Sequence, residues 1–130
     1  MKMLLPMVDY YSLDKGVFLD TYTVSELAGI YNGAGPDWMS EKLRKVLTRR
    51  LDLFECAFLI HDVDFENADA TRVTFNAVNK RMWANIRKVI NKKMPMSDIG
   101  LWGKRGYWWF KGWAAYRACK RFGWSAWEDK

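Results

Sequence analysis

The apolar positions of this chain fall into blocks with helical spacing, separated by glycine and proline. Residues 1–22 break that pattern. Pro6, Gly16 and a mixed apolar order predict an irregular N-terminal arm or a short strand pair. Thr23 with Glu26 three residues later forms a capping-box pattern and opens a short helix through Leu27 and Ile30. Asn32-Gly33 supplies residues that tolerate positive φ and stops it. After the Gly33-Ala34-Gly35-Pro36 turn, Asp37 or Ser40 is placed to cap another helix. Leu43, Val46 and Leu47 lie on its inner face, and Lys42, Arg44, Lys45, Arg49 and Arg50 on its solvated side.

From Leu51 to Phe65 the apolar arc is broad, with Leu53, Phe54, Ala57, Phe58, Ile60 and His61, so this helix is expected to be central and largely buried. A short loop at residues 66–68 leads to a long helix over Asp69–Lys93. Val73, Phe75, Ala77, Val78, Met82, Ile86, Val89 and Ile90 keep its helical spacing, and Lys80, Arg81, Arg87, Lys88, Lys92 and Lys93 make a basic face. Pro95 ends it. Gly100, Gly103 and Gly106 predict a loop, and a last helix spans Trp108 to Phe122 before Gly123. The expected fold is all-α in a single domain over 1–130, with an irregular arm at 1–22 and a helical core at 23–127. Two long helices pack around His61.

Composition narrows the function classes. Half of the 130 residues are hydrophobic and 16% are aromatic, enough for one core, so global disorder is excluded. The net charge of +6 favours acidic partners: a phospholipid surface, nucleic acid or an acidic protein. Cys56 and Cys119 are too few for a disulfide framework and match no zinc spacing, so they read as two buried thiols. Met1 to Met7 is a short apolar run interrupted by Asp9, which does not read as a secretion signal. No segment approaches the roughly 20 apolar residues that span a bilayer.

His61 is the one histidine of the chain and Asp62 follows it directly. An imidazole titrates near neutrality and is the default general base. Neighbours on a helix diverge by about 100°, so His61 is free to face a cleft while Asp62 faces a loop packed alongside. Calcium takes six to eight oxygen ligands, and a glycine turn aims several carbonyls at one point. Asp62 would give the charge and the turn at 31–35 the neutral oxygens. A carboxylate holding the other ring nitrogen would fix the tautomer. Asp69, at the start of the next helix, is the expected one, ahead of Asp64 and Asp98. A Cys56–His61 nucleophile pair is disfavoured, because residues five apart lie off a shared face.

The stretches Asn32 to Gly35, Glu55 to Asp62, Phe75 to Asn79 and Ala115 to Trp127 occur in an order that resembles the phospholipase A2 calcium loop and His-Asp helix. They resemble more closely a set of small phage and prophage proteins with a phospholipase A2-like motif. Those carry an N-G-C-G turn, E-A-C-x-I-H-D, an F-x-N-N run and an aromatic tail. The resemblance implies a phage-encoded, calcium-dependent phospholipid or ester hydrolase. His61 would be its base, Asp62 the metal carboxylate, and the carbonyls of Tyr31, Gly33 and Gly35 the loop ligands. It also implies a place in the host cytoplasm during infection or in the virion. Three positions depart from the pattern. Ala34 stands where the family has cysteine, Cys56 lies five residues before His61 rather than three, and Phe65 replaces a tyrosine. A non-enzymatic reading follows from these departures: a virion component touching other virion proteins, or an inhibitor of a host protein.

Ten aromatic residues crowd into 102–127, interleaved with Lys104, Arg105 and Lys111. Core packing accounts for many of them. Trp108, Trp109, Trp113, Lys111 and Arg105 are the expected membrane- or partner-binding residues, since aromatics sit at headgroup depth and basic residues meet phosphates. Stacking on single-stranded nucleic acid ranks behind these, as no nucleic-acid motif is present.

Overall fold

The computed structural model describes residues 3–31, 51–124 and 127. Among them the fold is all-α. Its helices are α1 (Leu4–Tyr10), α2 (Val24–Ile30), α3 (Glu55–Asn67), α4 (Arg72–Lys93) and α5 (Trp102–Phe122). Short 3-10 turns lie at Leu19–Thr21, Asp52–Phe54 and Ile99–Leu101. The helix expected within 37–50 and the turn at 32–36 lie outside the described residues.

α3 is the centre. Cys56, Ala57, Phe58, Leu59, Ile60 and Val63 are all buried, on every side of the helix, as its broad apolar arc requires. The four-residue connection 68–71 folds α4 back along it. α4 buries one stripe: Phe75, Val78, Met82, Ile86, Val89 and Ile90. Val73 and Ala77 share the helical spacing in sequence but fall on the opposite side of that stripe, and both are exposed. α4 starts at Arg72 rather than 69, because Thr71 is its N-cap and accepts from the Thr74 amide (3.2 Å). The capping box of α2 forms as the sequence implies: the Thr23 amide donates to Glu26 Oε1 (2.9 Å) and the Glu26 amide to Thr23 Oγ1 (3.2 Å).

The arm expected to be irregular contributes to the core. It contains α1 and buries Val8, Tyr11, Leu13 and Leu19. Asn85 of α4, fully buried, brackets the backbone of Asp14: the Asp14 amide donates to Asn85 Oδ1 (2.8 Å) and Asn85 Nδ2 donates to the Asp14 carbonyl (2.9 Å). Arg81 joins Asp14 (3.3 Å) to the buried Asp64 of α3 (2.8 Å). Its guanidinium runs so close to Gly16, at φ +65°, that a Cβ there would lie 2.8 Å from Nη1. These tertiary contacts order a segment whose local pattern specifies little.

α5 begins at Trp102, six residues before the expected start, with Gly103 and Gly106 inside it. Glycine costs about 1 kcal/mol in a helix, and three contacts at its start offset that. Asp98 accepts from the Gly100 amide (3.1 Å). The Trp102 indole donates to the Met96 carbonyl (2.9 Å). Arg105 donates to the Met94 carbonyl (2.9 Å) and to Asn91 Oδ1 (2.7 Å). α5 runs back along α4 and meets it at Gly112, where a Cβ would lie 2.4 Å from Ile86 Cγ2. A second apolar cluster joins Phe75, Val78 and Trp127, with Phe65 and Trp124 against it, and the Trp127 indole donates to the Thr71 carbonyl (3.2 Å). No helix among the described residues is long and apolar enough to cross a membrane.

Candidate functional site

Packing α4 against α3 brings His61 onto Asn79. His61 Nε2 and Asn79 Oδ1 are 3.0 Å apart. With the amide oxygen as acceptor, Nε2 carries the proton and Nδ1 the lone pair. Asn79 is buried beside Val78, and its Nδ2 has no hydrogen-bond partner. Burial pushes the His61 ring below the usual imidazole pKa, and the Asn79 contact pulls the other way. The ring is therefore held neutral, in one tautomer, by a neutral partner.

Asn79, not Asp69, holds the imidazole. Asp69 is exposed at the opening of α4, where its Oδ1 accepts from the hydroxyls of Thr71 (2.9 Å) and Thr74 (2.7 Å). Asp64 is committed to Arg81. Burial raises its carboxyl pKa while Arg81 opposes the rise, and its Oδ2 is unpartnered. Asp98 caps the 3-10 turn before α5. Asn79 was visible in sequence as an amide inside the apolar stripe of α4, a position where a polar side chain needs a partner.

The Asp62 charge reaches Tyr31 and Cys119 and helps raise the pKa of both. The Tyr31 phenol is partly buried and donates to Glu55 Oε1 (3.1 Å). Burial and then the Glu55 and Asp62 charges keep it protonated. Asp62 thus lies within electrostatic reach of Tyr31. Gly33 and Gly35 lie outside the described residues. No group of three or more His, Cys, Asp or Glu gathers as a metal cage among the described residues.

Neither thiol suits a nucleophile. Burial pushes Cys56 up to about 11, and burial followed by the Asp62 charge pushes Cys119 up to about 12. Both stay as thiols near neutral pH, whereas the thiolate is the reactive form.

The expected partner-binding residues divide in two. Arg105 is a structural clamp on the end of α4. Trp108 is partly buried with its ring edge on Phe54 (5.6 Å), and Lys111 lies over the Trp108 and Tyr107 rings (4.5 and 4.6 Å). Trp109 and Trp113 are exposed. Sequence spacing grouped these residues without distinguishing the face of α5 that Gly112 turns onto α4. Comparison with known proteins yields no matching family model, no matching curated protein and no matching solved structure.

Proposed function

We propose that this chain is a phage-encoded, phospholipase A2-like ester hydrolase, dependent on calcium, with His61 as the base that activates water. The contact between His61 Nε2 and Asn79 Oδ1 carries the reading. It leaves the Nδ1 lone pair to accept a proton from water, on a helix pair whose sequence resembles that family.

Asp62 and the carbonyls of Tyr31, Gly33 and Gly35 would hold the metal. This is an all-oxygen donor set, which suits calcium rather than zinc, and the reach of the Asp62 charge to Tyr31 fits it. Calcium, when bound, polarises an ester carbonyl. Asn79 keeps the ring in the tautomer the reaction needs. As a neutral amide it stabilises the imidazolium less than a carboxylate would, so a slow enzyme is expected. The test is hydrolysis of phospholipid vesicles across a calcium titration, with His61→Gln and Asp62→Asn alongside. Turnover should require calcium and fall about 10²–10⁴-fold in His61→Gln. Turnover independent of His61, or none at any calcium concentration, refutes the proposal.

The neutral partner of His61 favours a second reading, a scaffold that no longer catalyses and serves as a virion component or host-protein inhibitor. Recovery of a stoichiometric partner from virions or host lysate by both the wild type and His61→Gln supports it. A monomer without a partner in both counts against it.

A further inference from the structure

The charge of this chain is strongly polarised. Residues 70–127 carry thirteen of the 21 Lys and Arg, against the single acid Asp98. Residues 1–69 hold twelve of the 15 Asp and Glu. The excess therefore lies on α4 and α5. α5 itself contains Lys104, Arg105, Lys111, Arg117, Lys120 and Arg121, and no carboxylate.

Exposed aromatics line the outer face of α5 and its flank, where Trp109 also sets its ring against Trp83 of α4 (5.4 Å). Trp102 is 51% exposed, Trp109 43%, Phe110 63% and Trp113 39%. Trp102, Trp109 and Trp113 recur at intervals of seven and four and share one line along the helix, with Phe110 beside Trp113 on the outer face. Phe110 and Trp113 lie together (6.3 Å), and the Arg117 guanidinium lies over Trp113 (5.7 Å). Lys104, Arg117 and Lys120 have no carboxylate partner among the described residues. Phe110 and Trp113, with Trp102 and Trp109 exposed on the flank, put large rings in water beside Arg117 and need a cover.

We propose that this face of α5 docks the protein onto an anionic lipid surface. The rings enter the headgroup layer, and Arg117 and Lys120 meet lipid phosphates at its edge. Charge complementarity selects this occupant. A second copy of the chain would set like charges against one another across the contact. A single convex helix ridge fits a plane, whereas stacking of single-stranded nucleic acid uses a groove that tracks the backbone. The inference is independent of catalysis at His61.

Flotation with ether-linked, non-hydrolysable vesicles, without calcium, tests it. Binding should occur on phosphatidylcholine mixed with phosphatidylglycerol, weaken with added salt, and be at least about tenfold weaker on phosphatidylcholine alone. Phe110→Ser with Trp113→Ser should reduce binding at least about tenfold. Arg117→Gln and Lys120→Gln together should reduce it about twenty-fivefold, at about fivefold each. Val73→Ser, an exposed apolar change on α4, and His61→Gln should leave it unchanged. All sites are exposed or partly so, and unchanged helical circular dichroism confirms that each variant folds. No binding to anionic vesicles, or equal loss in Val73→Ser, overturns the proposal. So does tight binding of a single-stranded oligonucleotide that Phe110→Ser with Trp113→Ser abolishes while vesicles do not bind.

Discussion

Replacing Asn79 by aspartate would set a carboxylate where an amide now meets the only histidine of the chain, 3.0 Å from His61 Nε2. The Coulomb energy of two unit charges at about 4 Å is about 4 kcal/mol with an effective dielectric of about 20. At about 1.36 kcal/mol per unit, that would raise the ring pKa by roughly three units. The new carboxylate is itself buried, and its desolvation takes back part of the gain. A rise on the order of two units remains. Asn79 Nδ2, a buried donor without a partner, disappears in the exchange, which limits the cost to the fold. Because His61 has no rival signal, nitrogen-detected histidine NMR without calcium reads both quantities. The wild-type ring should titrate below about 6.5 with its proton on Nε2, and Asn79→Asp should titrate well above that value with the same tautomer. A wild-type ring protonated on Nδ1, or a pKa unmoved by Asn79→Asp, would refute the site geometry. If the hydrolase reading holds, Asn79→Asp should also raise turnover.

Gly112→Ala places a methyl 2.4 Å from Ile86 Cγ2. Overpacking of about 1–3 kcal/mol against a helix-propensity gain of about 1 kcal/mol should leave a net loss of up to about 2 kcal/mol in urea unfolding. In an Ile86→Ala background that loss should vanish; the same loss in both backgrounds would show that the helices do not meet there. Asn85→Ala strips the Asp14 amide and carbonyl of their partners and should cost about 3 kcal/mol, with amide exchange near Leu13 and Asp14 accelerated. An effect below about 1 kcal/mol would deny the bracket. The depressed pKa of His61 sets a sign for pH dependence. The unfolded chain takes up a proton near about 6.5 before the folded ring does, so His61's contribution to stability is full above that pH and falls as pH drops below it. His61→Gln should flatten this limb; an unchanged limb would place its origin elsewhere.

The sequence carried the helices with strong local signals. Thr23 and Glu26 sit at capping-box spacing, and the stripe from Phe75 to Ile90 keeps its period, so both elements stand where the residues imply. It missed where distant contacts override local preference. Gly103 and Gly106 read as loop, yet Arg105 and Trp102 anchor the first turn of α5 to the end of α4. Residues 1–22 read as an arm, because the order of their described part depends on Asn85 and Arg81, some seventy positions away. At the site, His61 and the divergence of Asp62 were legible from helix geometry alone. Its partner was not, because carboxylates were ranked above amides and Asp69 lay nearer in sequence than Asn79. Phe65, read as a lost hydroxyl, instead packs its ring edge on Trp127 (5.2 Å).

The bracket between Asn85 and Asp14 spans 71 positions, and that between Trp127 and Thr71 spans 56. α4 is thus the common partner of the first and last described segments. On a ribosome, Val8, Tyr11 and Leu13 would leave the exit tunnel before α3, on which α1 packs, and well before α4, which holds the Asp14 backbone. The early chain must wait, apolar side chains uncovered, until α3 and then α4 emerge behind it. A fragment cut before α4 would keep α3, on which α1 and α2 pack, but would lack the surface that α5 needs and the Asn85 side chain that brackets Asp14.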